Sequence, residues 1–132
     1  MADFKKLHVW RSAHATTLAT IRACETISGS IGILVRNQLV RAVISVPANI
    51  AEGSAKQSDR DFARFIRIAL GSATEAENHL ILARDLNLLS QHQCSDLDKR
   101  IQEVQKMLSG LAKRLTRDAS QRKARAGAAR SS

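Results

Sequence analysis

Apolar residues recur along this chain at three- and four-residue steps in four separate blocks, a period that predicts four amphipathic helices and no strand. The first block runs from about Lys5 to Ile27. Its stripe is Leu7, Trp10, Ala13, Thr17, Leu18, Ile21 and Cys24, with Asp3 as N-cap and Trp10 as the largest anchor. Ser28-Gly29-Ser30-Ile31-Gly32 then reads as a loop. The second block, about Ile33 to Ala51, has the stripe Val35, Leu39, Ala42, Val43, Val46 and Ile50, but Val40, Ile44 and Ala48 lie off it. The third runs from Ser58, a good N-cap with Asp61 three residues on, to about Leu89. Phe62, Phe65, Ile66, Ala69, Ala73, Ala76, Leu80 and Ala83 make its stripe, while Ile68, Leu70, Ile81 and Leu82 fall outside. The fourth starts at Ser95 or a residue or two before, with Leu97, Ile101, Val104, Leu108, Leu111 and Leu115 at alternating steps of four and three, a coiled-coil-like heptad.

Four helices joined by short connections predict an all-α, up-down-up-down antiparallel four-helix bundle over residues 1–117. The second and third helices are apolar on more than one side. A monomeric bundle needs only one stripe per helix, so the surplus predicts a homo-oligomer or a protein partner.

The centre of the chain is Asn37 to Ser72, two helices meeting at a turn near Gly53. Pro47 lies inside the second helix, where it removes an N–H and should kink the helix, leaving Ser45 to bond a freed carbonyl. Asn49 follows on the next turn. Gly53 is placed to end the helix as its C′ residue, and Arg41 and Glu52 are candidates for an ion pair. Gly71, beside Ser72, costs about 1 kcal/mol against alanine in a helix, which implies a packing role.

Composition narrows the function. The formal charge is +9 over 132 residues, and seven cations against Asp118 put +6 of it after Leu111, between Lys113 and Ser132. From Asp118 the chain lacks large apolar residues, so 118–132 is expected to be a basic, disordered tail able to meet a polyanion. No run approaches ~18 uninterrupted apolar residues, no signal pattern opens the chain, and Cys24 and Cys94 read as reduced thiols, with Cys24 in the core. These features place the protein in the cytoplasm without a membrane role.

FKKLHVW at Phe4 to Trp10, QLVRAVISVPANIAEG at Gln38 to Gly53, the Ser58 to Phe65 segment, and IALGSATEAENHLILARDL at Ile68 to Leu86 together resemble one family. It is the bacterial four-helix-bundle family of proteins encoded in intervening sequences of 23S ribosomal RNA genes. The accessory variability determinant of diversity-generating retroelements is a related branch. The resemblance implies a homopentameric bundle assembly and, from the retroelement branch, a basic scaffold that binds a reverse transcriptase and nucleic acid. The residues that carry it include Trp10, Arg41, Pro47, Asn49, Glu52, Gly53, Gly71, Ser72 and Glu75.

Catalytic constellations are missing from the sequence. A di-metal carboxylate bundle needs two Glu and two Glu-x-x-His pairs; Glu75 and His79 are spaced four apart and stand alone, and His92 with Cys94 is too little for zinc. No phosphate-binding loop is spelled, and no cofactor is implied. The basic residues point instead to phosphate recognition. Lys56, Arg60, Arg64 and Arg67 gather at the start of the third helix, and Arg122, Lys123 and Arg125 lie in the tail. The sequence reading is therefore a non-enzymatic oligomeric scaffold binding RNA, DNA or a ribonucleoprotein through phosphates. The alternative is a structural adaptor for a protein partner.

Overall fold

The structure is a computed structural model that describes residues 3–131. A 3-10 turn at Phe4–Lys6 leads into α1 (His8–Ala23), and a second at Cys24–Thr26 ends it. Then come α2 (Ser30–Ser54), α3 (Asp59–Asp85) and α4 (Gln91–Ser131), with no strand among the described residues. Met1, Ala2 and Ser132 lie outside the described residues.

Local chemistry sets these boundaries. Asp3 caps the first 3-10 turn, not α1, by accepting from the Lys5 N–H at 3.1 Å. Ser58 caps α3 as expected, accepting from Asp61 N–H at 3.1 Å. Helix α3 ends at Asp85, earlier than expected. Asn87 takes φ 56°, the Leu88 N–H bonds Ala83 carbonyl and the Asn87 N–H bonds Arg84 carbonyl, the two bonds of a Schellman motif. Helix α4 starts earlier than Ser95. Ser90 Oγ accepts from Gln93 N–H at 3.0 Å while Gln93 Oε1 accepts from Ser90 N–H at 2.9 Å, a reciprocal capping box.

The core falls into two clusters that define the topology. One joins Cys24 at the end of α1, Val35 and Leu39 early in α2, Ala83 late in α3, and Cys94 and Leu97 early in α4. The other joins Val9 and Ala13, Ile50, Ala63 and Ile66, and Leu108 and Leu115. Neighbouring helices therefore run antiparallel, and the start of α1, end of α2, start of α3 and far part of α4 share one end. We call it the near end.

On α1 the expected stripe is rotated. Val9, Thr16 and Thr20 face the core, whereas Leu18 and Ile21 are exposed. Threonine is tolerated there because its hydroxyl bonds back to the preceding turn: Thr16 to Ser12 carbonyl at 2.9 Å and Thr20 to Thr16 carbonyl at 2.7 Å. Averaged over a window, α2 is long and apolar enough to cross a membrane, with mean hydropathy 1.3, although its apolar run is interrupted by Arg36 and Arg41. Here it packs against α1 and α3 as a core helix, yet only 33% of that window is buried within the chain. Ile33 and Ile44 are exposed on its outer side, and Ile68 and Leu82 are exposed along one face of α3, with Leu86 in line at its C-cap.

The Asn37–Ser72 centre differs from expectation in four details. Helix α2 runs unbroken through Pro47 to Ser54, so Gly53 is a helical residue, not a C′ residue. A Cβ there would meet Phe65 Cβ at 2.7 Å and Phe62 Cδ1 at 3.0 Å, so Gly53 sets the close approach of α2 to α3. Arg41 and Glu52 form no ion pair within the chain; both are exposed and eleven positions apart along one helix. Ser45 does not serve the carbonyl freed by Pro47. It meets Ser72 at 2.9 Å across to α3 and receives the Asn49 amide at 3.0 Å. Gly71 faces open space, with nothing within 4 Å of a Cβ built on it, so it has no packing role inside this chain.

Candidate nucleic-acid interface

The start of α3 carries a row of cations. Arg60, Arg64 and Arg67 lie at steps of four and three and are all exposed. Phe65, nearly buried, anchors two cations on its ring: the Arg64 guanidinium stands 4.6 Å and the Lys56 ammonium 5.0 Å from its centroid. Each such contact is worth about 0.5–1 kcal/mol at an exposed site. Arg67 reaches the other way and donates to the Thr116 hydroxyl on α4.

The expected disordered tail is a helix. Residues 118–131 continue α4, which totals 41 residues, about 60 Å at 1.5 Å per residue. Ala, Arg, Lys and Gln are good helix formers, and extending an existing helix needs no new nucleation. From Ser120 to Arg130 every residue is exposed, so helix propensity and the helix's own bonds do most to hold this part. An ion pair also tethers it to α3. Arg122 Nη2 stands 3.3 Å from Asp59 Oδ2, an oxygen that is buried and lacks a well-formed hydrogen bond.

The tether unites two patches that the sequence presents separately. Arg60, Arg67, Thr116, Ser120 and Lys123 line one open groove of about 310 Å³ between α3 and α4, floored by Ala63 and Ala119. Arg60, Arg64 and Arg67 line an adjoining hollow with Ser58 and Asp61. Arg125 is exposed on the extension outside the groove. Thr116, Ser120 and the Asp59 tether were not anticipated. The signal for them was topological, since antiparallel helices put the α3 start beside the far part of α4.

Charge is segregated along the bundle. We cut it between the two core clusters, with Glu75 and Glu103 at the divide counted on the far side. Fifteen of the 21 Lys and Arg and five of the 12 Asp and Glu then fall in the near half. The near half carries +10, and the far half, with six cations against seven anions, carries −1.

The remaining singled-out residues are structural or local. Trp10 packs against the near core cluster, and Pro47 is buried in α2. Glu75 Oε1 meets His79 Nε2 at 3.3 Å, and among the described residues no three His, Cys, Asp or Glu side chains are grouped to hold a metal. Burial pushes the Cys24 thiol up from its ordinary value, with Arg36 opposing, and burial pushes Cys94 up with Arg84 opposing.

The geometry defines a basic-ended, all-helical bundle. The chain belongs to the 23S rRNA-intervening sequence protein family, whose model matches residues 5–110. A crystal structure of a protein of unknown function from the S23 ribosomal protein family of Bacteroides thetaiotaomicron shares the fold. Its TM-score is 0.72 at 24% identity, and the match covers 80% of this chain and 98% of that one. No curated protein matches the chain.

Proposed function

We propose that the protein is a non-enzymatic oligomeric scaffold that holds the phosphate backbone of RNA or DNA, alone or in a ribonucleoprotein, against its near end. The observation that carries this reading is the confinement of the whole positive excess to one half, focused on the α3–α4 groove. The family's association with 23S ribosomal RNA intervening sequences supports RNA as the natural polyanion. Binding through phosphates is sensitive to salt and nearly blind to sequence.

The assembly half of the proposal rests on uncovered apolar surface. Copies of the chain, five by the resemblance, cover the outer faces of α2 and α3, where Ile33, Ile44, Ile68, Leu82 and Leu86 are exposed. Arg36 and Arg41 on α2 make a protein cover better suited to this surface than lipid, and we place the protein in the cytoplasm. A second reading has its own observation. The open cleft between α1 and α2 sets Ile21, Val40 and Ile44 beside Arg36 and Arg41, a lining that suits an amphipathic segment of a partner protein.

Light scattering first fixes the mass of the particle. Fluorescence anisotropy with RNA and DNA across a salt series then tests binding, comparing the full chain with one ending at Arg117. The scaffold reading expects log K to fall against log salt with a slope of about −3 or steeper, as for four or more neutralised phosphates. It also expects a shallower slope on truncation. No binding at low salt transfers the assignment to the protein adaptor.

A further inference from the structure

The near end also carries an aromatic stack that phosphate recognition does not use. Phe4, Trp10 and His14 form a continuous series of rings. Phe4 meets Trp10 edge-on at 5.1 Å and 65°, and His14 lies nearly parallel to Trp10 at 4.9 Å and 11°. Phe4 and Trp10 are half-buried, whereas His14 is exposed. One face of the His14 ring rests on the indole, so its exposed surface is the opposite face and the edges. The imidazole makes no hydrogen bond to any described residue.

The stack is held by more than its own rings. Arg11 donates to the carbonyls of Lys6 at 2.9 Å and Lys5 at 3.3 Å, and Asp3 caps the same turn from the other side. These bonds fix the turn that presents Phe4 to Trp10. Trp10 is in turn seated on the near core cluster. The platform is therefore preorganised on the bundle, with Lys5 and Lys6 exposed beside it.

We infer that the Trp10–His14 stack receives an unpaired nucleobase, so that the nucleic acid held at the near end is single-stranded at this point. The inference rests on the phosphate-binding reading above and deepens it. A flat, exposed π-face takes any base without sequence choice, and duplex bases, stacked on one another, have no free face to offer. A sugar would also lie flat on such rings, but the +10 near half favours a ligand that brings phosphates with its ring. The sequence reading invoked phosphates alone; the ring platform comes from a histidine that joins Trp10 one helical turn on.

Trp10 is the sole tryptophan, so intrinsic fluorescence reports on the platform directly. The experiment titrates the full chain with three probes: an oligouridylate, an RNA duplex of the same length and inorganic polyphosphate. Binding is followed by anisotropy or competition, and the indole by emission. We expect all three to bind and only the oligouridylate to quench Trp10. His14→Ala should change the Trp10 response and weaken oligouridylate binding roughly 5- to 100-fold, leaving polyphosphate unchanged. His14→Tyr should restore both. Circular dichroism checks that these surface variants fold. Binding of all three probes without selective quenching, or His14→Ala binding oligouridylate as the parent does, overturns the base platform and leaves the phosphate reading standing. Failure of every probe to bind overturns both.

Discussion

The Thr17 hydroxyl on α1 lies 3.0 Å from the Val43 carbonyl on α2, the acceptor that Pro47 leaves without its helical N–H. The same hydroxyl is 2.9 Å from the Ala13 carbonyl in its own helix, but that group also has a backbone partner available. The needier acceptor is Val43. Proline inside α2 is thus accommodated by a side chain from the neighbouring helix, and the helix passes through Pro47 unbroken.

A double-mutant cycle checks this. Thr17→Val keeps the shape, removes the donor and leaves a buried carbonyl unsatisfied, so it should destabilise by about 1–3 kcal/mol in urea unfolding. In Pro47→Ala the restored N–H serves Val43, and Thr17→Val on that background should cost much less. Additive effects of the two changes would refute the link.

Gly53→Ala should destabilise the bundle although alanine is the better helix former by about 1 kcal/mol. The new methyl would sit 2.7 Å from Phe65 Cβ, which cannot move without shifting α3. A net loss of about 1–3 kcal/mol is expected from overpacking. A rise in melting temperature would show that the helices separate freely here.

Gly71→Ala tests the proposed assembly from the opposite side. Within one chain the methyl meets nothing, so it should stabilise the isolated helix by roughly 0.5–1 kcal/mol. Gly71 shares a face with the exposed Ile68, Leu82 and Leu86. If a second copy packs closely there, the same change should lower the particle mass in light scattering at micromolar concentration. Unchanged mass with higher stability would locate the subunit contact elsewhere.

Cys24 and Cys94 should resist alkylation at pH 8 until the protein unfolds. Burial raises both thiols above the ordinary value of 9.0, so they stay neutral in the folded chain. The linkage has a definite sign. A raised folded pKa gives stability that is full below the unfolded value and is lost as pH rises through the folded one. Denaturation at successive pH values from about 8 to 11 should show stability falling as the unfolded thiols ionise, and Cys24→Ser should flatten part of that fall.

Period alone revealed the helix count and most of the core: Leu39, Ile50, Ile66, Leu97 and Leu108 are fully buried as their spacing requires. Helix ends were less legible. The Ser90–Gln93 box is written in the sequence but competes with Ser95, and only the bonds formed decide between them. On α1, Thr16 and Thr20 read as polar although their hydroxyls are satisfied within the helix, and that rotated the inferred stripe. The basic groove was half legible. Its arginines stood out, but their meeting with Ser120 and Lys123 depends on how far α4 continues. Arg122 and Asp59, 63 positions apart, give no local signal of their contact.

The separation of +10 from −1 along one axis makes the chain an electric dipole. In the field of a polyanion such a body feels a torque as well as a pull. At low ionic strength, where the Debye length reaches about 30 Å, it turns before it touches. The protein would then arrive with α4 leading. On the proposed phosphate-binding reading its first encounter would already be in the productive orientation, and added salt should slow capture as well as loosen the complex.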